Sequence, residues 1–428
     1  MSSSSAATAG LYRVADTGGP AIPATELDAS RGETEHRGPV FLPDGHRFIF
    51  QAVSWDSSSK SALYLASLES ASRTHVVDAQ NSKVAYSQGI LFYQRDRILT
   101  AQLFDARAGR VAGQPRAIVA GVAGWFAVSA SGTLAYRVEP DPETTLTWFD
   151  RQNQQLGPVG AAGMIGLFRV SPDRRWAAVE RRDGGGSSDI WTIDLERNVS
   201  ARLTSDPGDD TDPTWSADSA HVIFKSNRKG PGDLYRRAAN GTGEDELLFE
   251  SPEDKAPTSV SSDGTLLFNQ VTSGAKGIDV YALPLGKTGG EGRTPIPVVS
   301  TAFQDMNAVF SPDGRWIAYM SNESGWQVYV QPFPATGARV GVSTTCGANP
   351  QWSADGKQLF FNCNANRILT VDVTVRLRPG PPREVFSGPW LGWTIDPSGQ
   401  KLLVTPASEA TTSSPITVIT NWIANWKK

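Results

Sequence analysis

The sequence predicts an all-β protein, a β-propeller built from nine four-stranded blade units. Three observations carry that prediction: a polar turn cluster that recurs at a nearly constant interval, short apolar runs on both sides of it, and a third apolar run with an acidic lead-in.

The turn is clearest in "FSPDGRWIAYM", where Ser311-Pro312-Asp313-Gly314 separates two apolar runs. Pro presets φ at the second position, Ser accepts a backbone hydrogen bond at the first, and Gly supplies a left-handed residue, so the cluster reads as a hairpin tip. The third turn residue recurs at Asp44, Gln88, Ser131, Asp173, Asp218, Asp263, Asp313, Asp355 and Ser398, with successive spacings of 44, 43, 42, 45, 45, 50, 42 and 43. A period this steady marks a repeat architecture.

The run after each turn is apolar on both faces ("RFIF", "WAAV", "HVIF", "TLLF", "WIAY", "QLFF", "KLLV"). A sheet with one wet face would alternate instead, so these strands are expected between two packed layers. A third strand follows in "SSDIWTIDL", "PGDLYRRAA" and "GIDVYALPL", led by Asp189, Asp233 and Asp279, with Gln327 replacing the acid in "GWQVYVQPF". With a weaker fourth strand, each unit of about 40 to 45 residues has the size of a propeller blade. The aromatics Trp176, Trp215, Trp316, Trp352 and Phe360 are expected to fill space between blades. The three repeated acids are expected to be structural, satisfying backbone donors near the neighbouring hairpin.

Net charge is −4, with Lys and Arg scattered, which argues against a nucleic-acid partner held through phosphates. No segment approaches the length of a membrane span, and the N-terminus lacks the basic and apolar regions of a signal peptide. As written, the chain reads as cytoplasmic. Gly-x-Ser-x-Gly is missing, and His36, His46, His75 and His221 have neither nucleophile-motif neighbours nor metal-ligand spacing. No catalytic residue, cofactor or metal ligand is assigned. The acidic run "DPGDDTDP" at 206–213 lacks the calcium-loop pattern and reads as a solvated turn, and "RRDGGGSSD" at 181–189 as a loop.

The copies resemble the bacterial PD40, or TolB-like, WD40-like propeller repeat, a "W-S-P-D-G" hairpin followed by an "aspartate-apolar-aromatic" strand; "FSPDGRWIAY" and "PTWSADS" with "GDLY" carry the likeness. Over essentially the whole chain, "LTWFDRQNQQLGPVG", "SNESGWQVYVQPFPATG" and "ITVITNWIANWKK" resemble the propeller region that follows the kinase domain in some bacterial transmembrane serine/threonine kinases, although no kinase motif is present. That resemblance implies a sensory or docking module, extracytoplasmic if the chain is part of a membrane-anchored kinase. Two alternatives stay open: a six-bladed hydrolase or lactonase with a central metal, and a regulatory propeller for a peptidase.

A propeller ring must close, because an open one exposes a sheet edge. In one closure residues 11–25 complete the last blade and all nine units form a single large ring. In the preferred one, "TLTWFDRQNQQLGPVG" at 145–160 completes it. This gives a six-bladed TolB-like propeller over 145–428, with "ITVITNW" as a third strand of its last copy, and three extra blades over 1–144, incomplete or completed by another chain.

The expected partner is a protein or peptide, bound on the face opposite the hairpin turns, where the connections are longer and more polar. The candidates there are Arg182, Asp212, Arg228, Asp254, Asn307, Glu323 and Asn349. Hairpin register pairs Gln351 with Phe360 and Asn349 with Asn362, which brings Cys346 within about two positions of Cys363. A disulfide and two free thiols both remain open, depending on the compartment.

Overall fold

The fold was analysed in a computed structural model, which describes residues 10–28, 31, 33, 35–53, 61–79, 83–95, 98–138, 143–183, 187–272, 277–286, 294–373, 379–407 and 415–426. The chain divides into two compact units, one of residues 1–141 with 411–428, the other of residues 142–410. Both are built from antiparallel sheets in which most neighbouring strands are consecutive in sequence, as the recurring turns require.

In the N-terminal unit, one four-stranded sheet runs Glu35–Phe41, Arg47–Val53, Ala62–Ser67, Ser70–Asp78, and a second runs Val84–Ser87, Ile90–Arg95, Ile98–Asp105, Arg110–Val119. A third contains Val122–Val128, Leu134–Val138 and, from the other end of the chain, Ile416–Ile419. This corrects the expectation that "ITVITNW" extends the last repeat. The reason lies in the residues that follow, because Ile423 is buried in a core with Ile90, Phe92, Leu99, Phe126 and Leu134, and the Trp422 ring packs 5.0 Å from Phe92. The apolar tail is retained where its large side chains lose water-exposed area. Residues 11–25 form a small pair of strands, Tyr12–Arg13 with Ile22–Pro23.

The C-terminal unit holds four sheets of four strands, whose first strands are Asp210–Trp215, Lys255–Val260, Asp305–Phe310 and Ala348–Trp352. Its remaining sheet has seven strands in the order Val199–Arg202, Ser188–Asp194, Trp176–Arg182, Gln155–Val170, Thr144–Asp150, Lys401–Pro406, Trp390–Ile395. The long strand Gln155–Val170 serves two groups of four. Its first part pairs with Thr144–Asp150 and its second with Trp176–Arg182. Thr144–Asp150 in turn pairs with Lys401–Pro406, Thr147 opposite Val404, so distant parts of the chain share one sheet.

The strand after each turn is buried from both sides, as in Ile317, Ala318 and Tyr319, or Leu359, Phe360 and Phe361. Its neighbours come from successive sheets: Leu359 and Phe361 pack with Ala318 and Val328, while Phe360 packs with Trp393 and Leu402.

The turns repeat one hydrogen-bond module. The Ser353 hydroxyl donates to Asp355 (2.7 Å) and accepts from the Gln358 amide (3.0 Å), and Ser171, Ser216 and Ser311 do the same. The serine bond, followed by the Lys357 amide, holds the Asp355 carboxyl below its usual pKa.

Candidate functional site: the channel of the C-terminal unit

All six first strands of the C-terminal unit, Gln155–Val170 and Trp390–Ile395 included, contribute to two cavities, so these strands surround an axis. Counting back from the third turn residue places each side chain. Six positions before it stand Leu167, Asp212, Pro257, Asn307, Asn349 and Gly392, all lining a cavity of about 130 Å³. Four positions before it stand Arg169, Thr214, Ser259, Val309, Gln351 and Thr394, all lining a cavity of about 360 Å³ that also touches the turns. Arg169, Thr258 and Gln351 reach both cavities and mark the waist of a channel. The smaller cavity therefore opens toward the face opposite the hairpin tips.

The register of every first strand shifts near that smaller cavity, for example between Met306 and Val309. Three of these bulges place a residue at positive φ, Asp212 at 53°, Asn307 at 54° and Asn349 at 51°. Asp and Asn tolerate this region best among residues with a side chain. The bulge also corrects the expected hairpin register: Gln351 does oppose Phe360, but Ala348 instead of Asn349 lies opposite Asn362.

The bulged residues carry a chain of amides around the channel. Asn269 Nδ2 donates to Asn307 Oδ1 (2.8 Å), Asn307 Nδ2 to Asn349 Oδ1 (2.6 Å), and Asn349 Nδ2 to Asn362 Oδ1 (3.0 Å). Trp393 Nε1 also donates to Asn362 Oδ1, at 3.4 Å. Beside this chain Leu167 and Leu391 are 44% and 57% exposed.

Asp212 is joined there by Glu180, which sequence reading missed. Burial, reinforced by the charge of Asp212, raises the Glu180 carboxyl to about 7. Gly166 admits that carboxyl, because a Cβ at this position would lie 2.5 Å from Glu180 Cδ.

The other rim candidates lie on the same face but are engaged. Arg228 donates to both oxygens of the buried Asp210 (3.0 and 3.1 Å) and to Asp245 (2.7 Å). Asp254 pairs with Lys225 at 2.7 Å, Glu323 with Arg339, and Arg182 with Asp209 at 3.6 Å. Only Asp212, Asn307 and Asn349 of the seven line the channel cavities.

All three repeated acids are buried. Asp233 takes the Ser251 amide (3.3 Å) and the ammonium of Lys255 (3.1 Å), which is itself only 1% exposed; Asp189 takes Arg202 at 2.6 Å. Lys255 stands where neighbouring sheets have Asp210 and Asp305, eight positions before the third turn residue. Burial lowers its pKa and the Asp233 partner opposes that shift.

Cys346 and Cys363 form a disulfide with Cα atoms 5.1 Å apart, tying the entry of one first strand to the end of the next strand on the face of the smaller cavity.

His36 is buried against Thr25 (2.8 Å) and Glu33 (3.0 Å) in the N-terminal unit, His75 bonds Asp78 at 2.7 Å, and His46 lies 3.5 Å from Glu69. Among the described residues no cluster of three or more His, Cys, Asp or Glu is placed to hold a metal. Nor is any helix among them long and apolar enough to cross a membrane. Part of the 181–189 stretch, residues 184–186, lies outside the described residues.

Residues 150–291 match the family described as the TolB beta propeller domain. Among solved structures, a TolB candidate from Agrobacterium tumefaciens is similar at 13% identity over 62% of this chain and 99% of that one, with a TM-score of 0.49. TolB from Acinetobacter baumannii follows at 14% identity, 78% and 80% coverage and a TM-score of 0.40. An oligogalacturonate lyase from Vibrio parahaemolyticus gives 11% identity, 69% and 81% coverage and a TM-score of 0.42.

Proposed function

We propose that the C-terminal unit is a six-bladed, non-enzymatic binding module that takes a protein or peptide segment at the end of its channel opposite the hairpin turns. The observation that carries this reading is the amide chain Asn269–Asn307–Asn349–Asn362 bordered by the exposed Leu167 and Leu391. Amides offer a donor and an acceptor each, the complement of a peptide backbone, and exposed leucines beside them supply apolar contact at low ordering cost. The bonds among the amides fix their orientation before a ligand arrives, which reduces the entropy lost on binding.

The resemblance, over essentially the whole chain, to propeller regions following bacterial receptor kinase domains supports a docking or sensory role for such a surface. Fold alone does not assign it.

The test is to select peptides from a displayed random library on the full chain and measure their affinity for Leu391→Asp and Leu167→Asp. Both side chains are exposed, so stability is expected to stay within about 0.5 kcal/mol. Affinity should fall at least tenfold. Unchanged affinity with both variants would remove this end of the channel from the binding surface.

A further inference from the structure

The larger cavity, at the turn end of the channel, has a surplus of hydrogen-bond donors. Among the described residues, Arg169 is the only charged one lining it. Its Nη1 donates to the carbonyl of Phe168 at 2.9 Å, and among the described residues it has no carboxylate within ion-pair distance. Burial holds its pKa below the ordinary value, and the charge of Asp212, which lines the smaller cavity that Arg169 also reaches, opposes that shift without forming an ion pair.

Gln351 adds a second donor. Its Oε1 accepts from Thr394 Oγ1 (2.9 Å) and the Ile395 amide (3.0 Å), which fixes the side chain and leaves the Nε2 hydrogens without a partner among the described residues. The indole N–H of Trp352 is also unpartnered but is closed off from the cavity, whereas the corresponding indole of Trp215 donates to the Arg169 carbonyl at 2.9 Å.

Buried donors normally find acceptors, and those of a folded site that do not are commonly completed by a ligand or water. The cavity's hydroxyls are engaged within the ring: Thr258 Oγ1 donates to the Ala308 carbonyl (2.7 Å), and Ser259 Oγ accepts from the Phe310 amide (3.1 Å). The aspartates of the surrounding turns are bound to their own serines and backbone amides. What the cavity lacks is a planar anionic acceptor, and a guanidinium is the group best matched to one.

The geometry points to a second binding site, for a small aromatic monocarboxylate, with the carboxylate on Arg169 and Gln351 at the waist and the ring among Trp215, Phe310 and Trp352. A volume of about 360 Å³ suits such a molecule, at the small end of the usual ligand range. This site does not depend on the peptide-binding end, and Leu391→Asp should leave it intact.

Phenylacetate, indole-3-acetate and naphthalene-2-carboxylate, each paired with its primary amide, are titrated into the full chain by calorimetry. At least one acid should bind ten or more times tighter than its amide. That preference should vanish in Arg169→Gln and survive in part in Arg169→Lys. Arg169→Met should melt at the same temperature as the parent or higher, because an unpaired desolvated charge opposes folding and is retained for a ligand. Absence of any acid preference up to about 10 mM, beyond the millimolar affinities of weak fragments, would overturn the site. So would a preference that persists in Arg169→Gln, or an Arg169→Met protein that melts several degrees lower.

Discussion

In the C-terminal unit, Thr144–Asp150 lies between Gln155–Val170 and Lys401–Pro406, so the first and last strands of that unit share a sheet. The third sheet of the N-terminal unit also recruits a distant strand, Ile416–Ile419, but among the described residues nothing pairs beyond it, and Ile416 and Val418 are 69% and 58% exposed. The repeats are alike in turn and spacing, and both units close a sheet with remote sequence. What differs is what the closure encloses. In the C-terminal unit six first strands converge on a channel, and hydrogen bonds such as Asn307–Asn349 and Gln351–Ile395 join successive strands around it. The N-terminal unit instead holds a charged cluster in which Arg73 donates to both oxygens of the buried Glu33 (2.7 Å each) and lies 4.3 Å from the Tyr64 ring. A ring thus depends less on the repeat than on what its ends can reach.

The largest effect should come from the buried Asp233–Lys255 pair of the C-terminal unit. Asp233→Ala leaves the Lys255 ammonium buried without its carboxylate, and breaking such a pair costs about 3–5 kcal/mol. Denaturant unfolding should register that loss, and a cost below about 1 kcal/mol would mean that the carbonyls of Ser251 and Glu253 suffice for Lys255.

Closure itself can be broken on either side of the comparison. Leu146 is fully buried against Phe168 and Leu403, and Leu146→Ala should cost about 2–5 kcal/mol. Hydrogen exchange should then quicken in 144–150 and 401–406. Ile423→Ala should quicken exchange in 90–95 and 416–419 instead. If both variants loosen the same strands, the division of the two closures is wrong.

Reducing the Cys346–Cys363 disulfide, which spans 17 residues, should cost about 3 kcal/mol in the chain-entropy account. The loss should appear in denaturant midpoints measured with and without reductant, and exchange should rise first around Ala348–Trp352.

Glu180 gives the most modest effect and a pH signature. Its folded pKa is about 7 and its ordinary one 4.5, so the native state holds a proton that the unfolded chain releases. Stability is therefore expected to fall as pH rises from about 4.5 to 7, by about 3 kcal/mol, and to remain lower above that window. Glu180→Gln should remove this slope, matching the parent near pH 4 and exceeding it at pH 8. Parallel pH profiles for the two proteins would contradict the assignment.

The repeat, the turn chemistry and the double-sided burial of the second strand were legible because they recur: five copies in a row, from Ser171 to Ser353, restate the Ser-x-Asp module, each followed by an apolar run. The face opposite the hairpin tips was legible as a face, since hairpin direction fixes it, but the contacts its residues make were not. Arg228, Asp254 and Glu323 looked like free polar groups, and their partners Asp210, Lys225 and Arg339 lie up to 29 residues away in sequence. Asn307 and Asn349 were chosen for polarity, while their positive φ and shared amide chain arise from bulges that no single copy announces. Arg169 was missed although the alignment of copies displays it: four positions before the third turn residue, the C-terminal copies read Arg, Thr, Ser, Val, Gln, Thr, with one charge in the column. That signal concerns a column across repeats, and it gains meaning only once the column is known to line a channel. The position of "ITVITNW" was hidden for another reason, since its place was decided by Trp422 and Ile423 just beyond it.

Hydrogen-exchange footprinting of the full chain with a library-selected peptide bound tests the central claim most directly. Protection is expected in 209–213, 305–307, 346–349 and 390–392, the strand entries around the amide-lined end of the channel, with the hairpin tips 172–174, 217–219, 312–314 and 354–356 unchanged. Protection of the tips with the strand entries unchanged would place recognition on the opposite face and contradict the account.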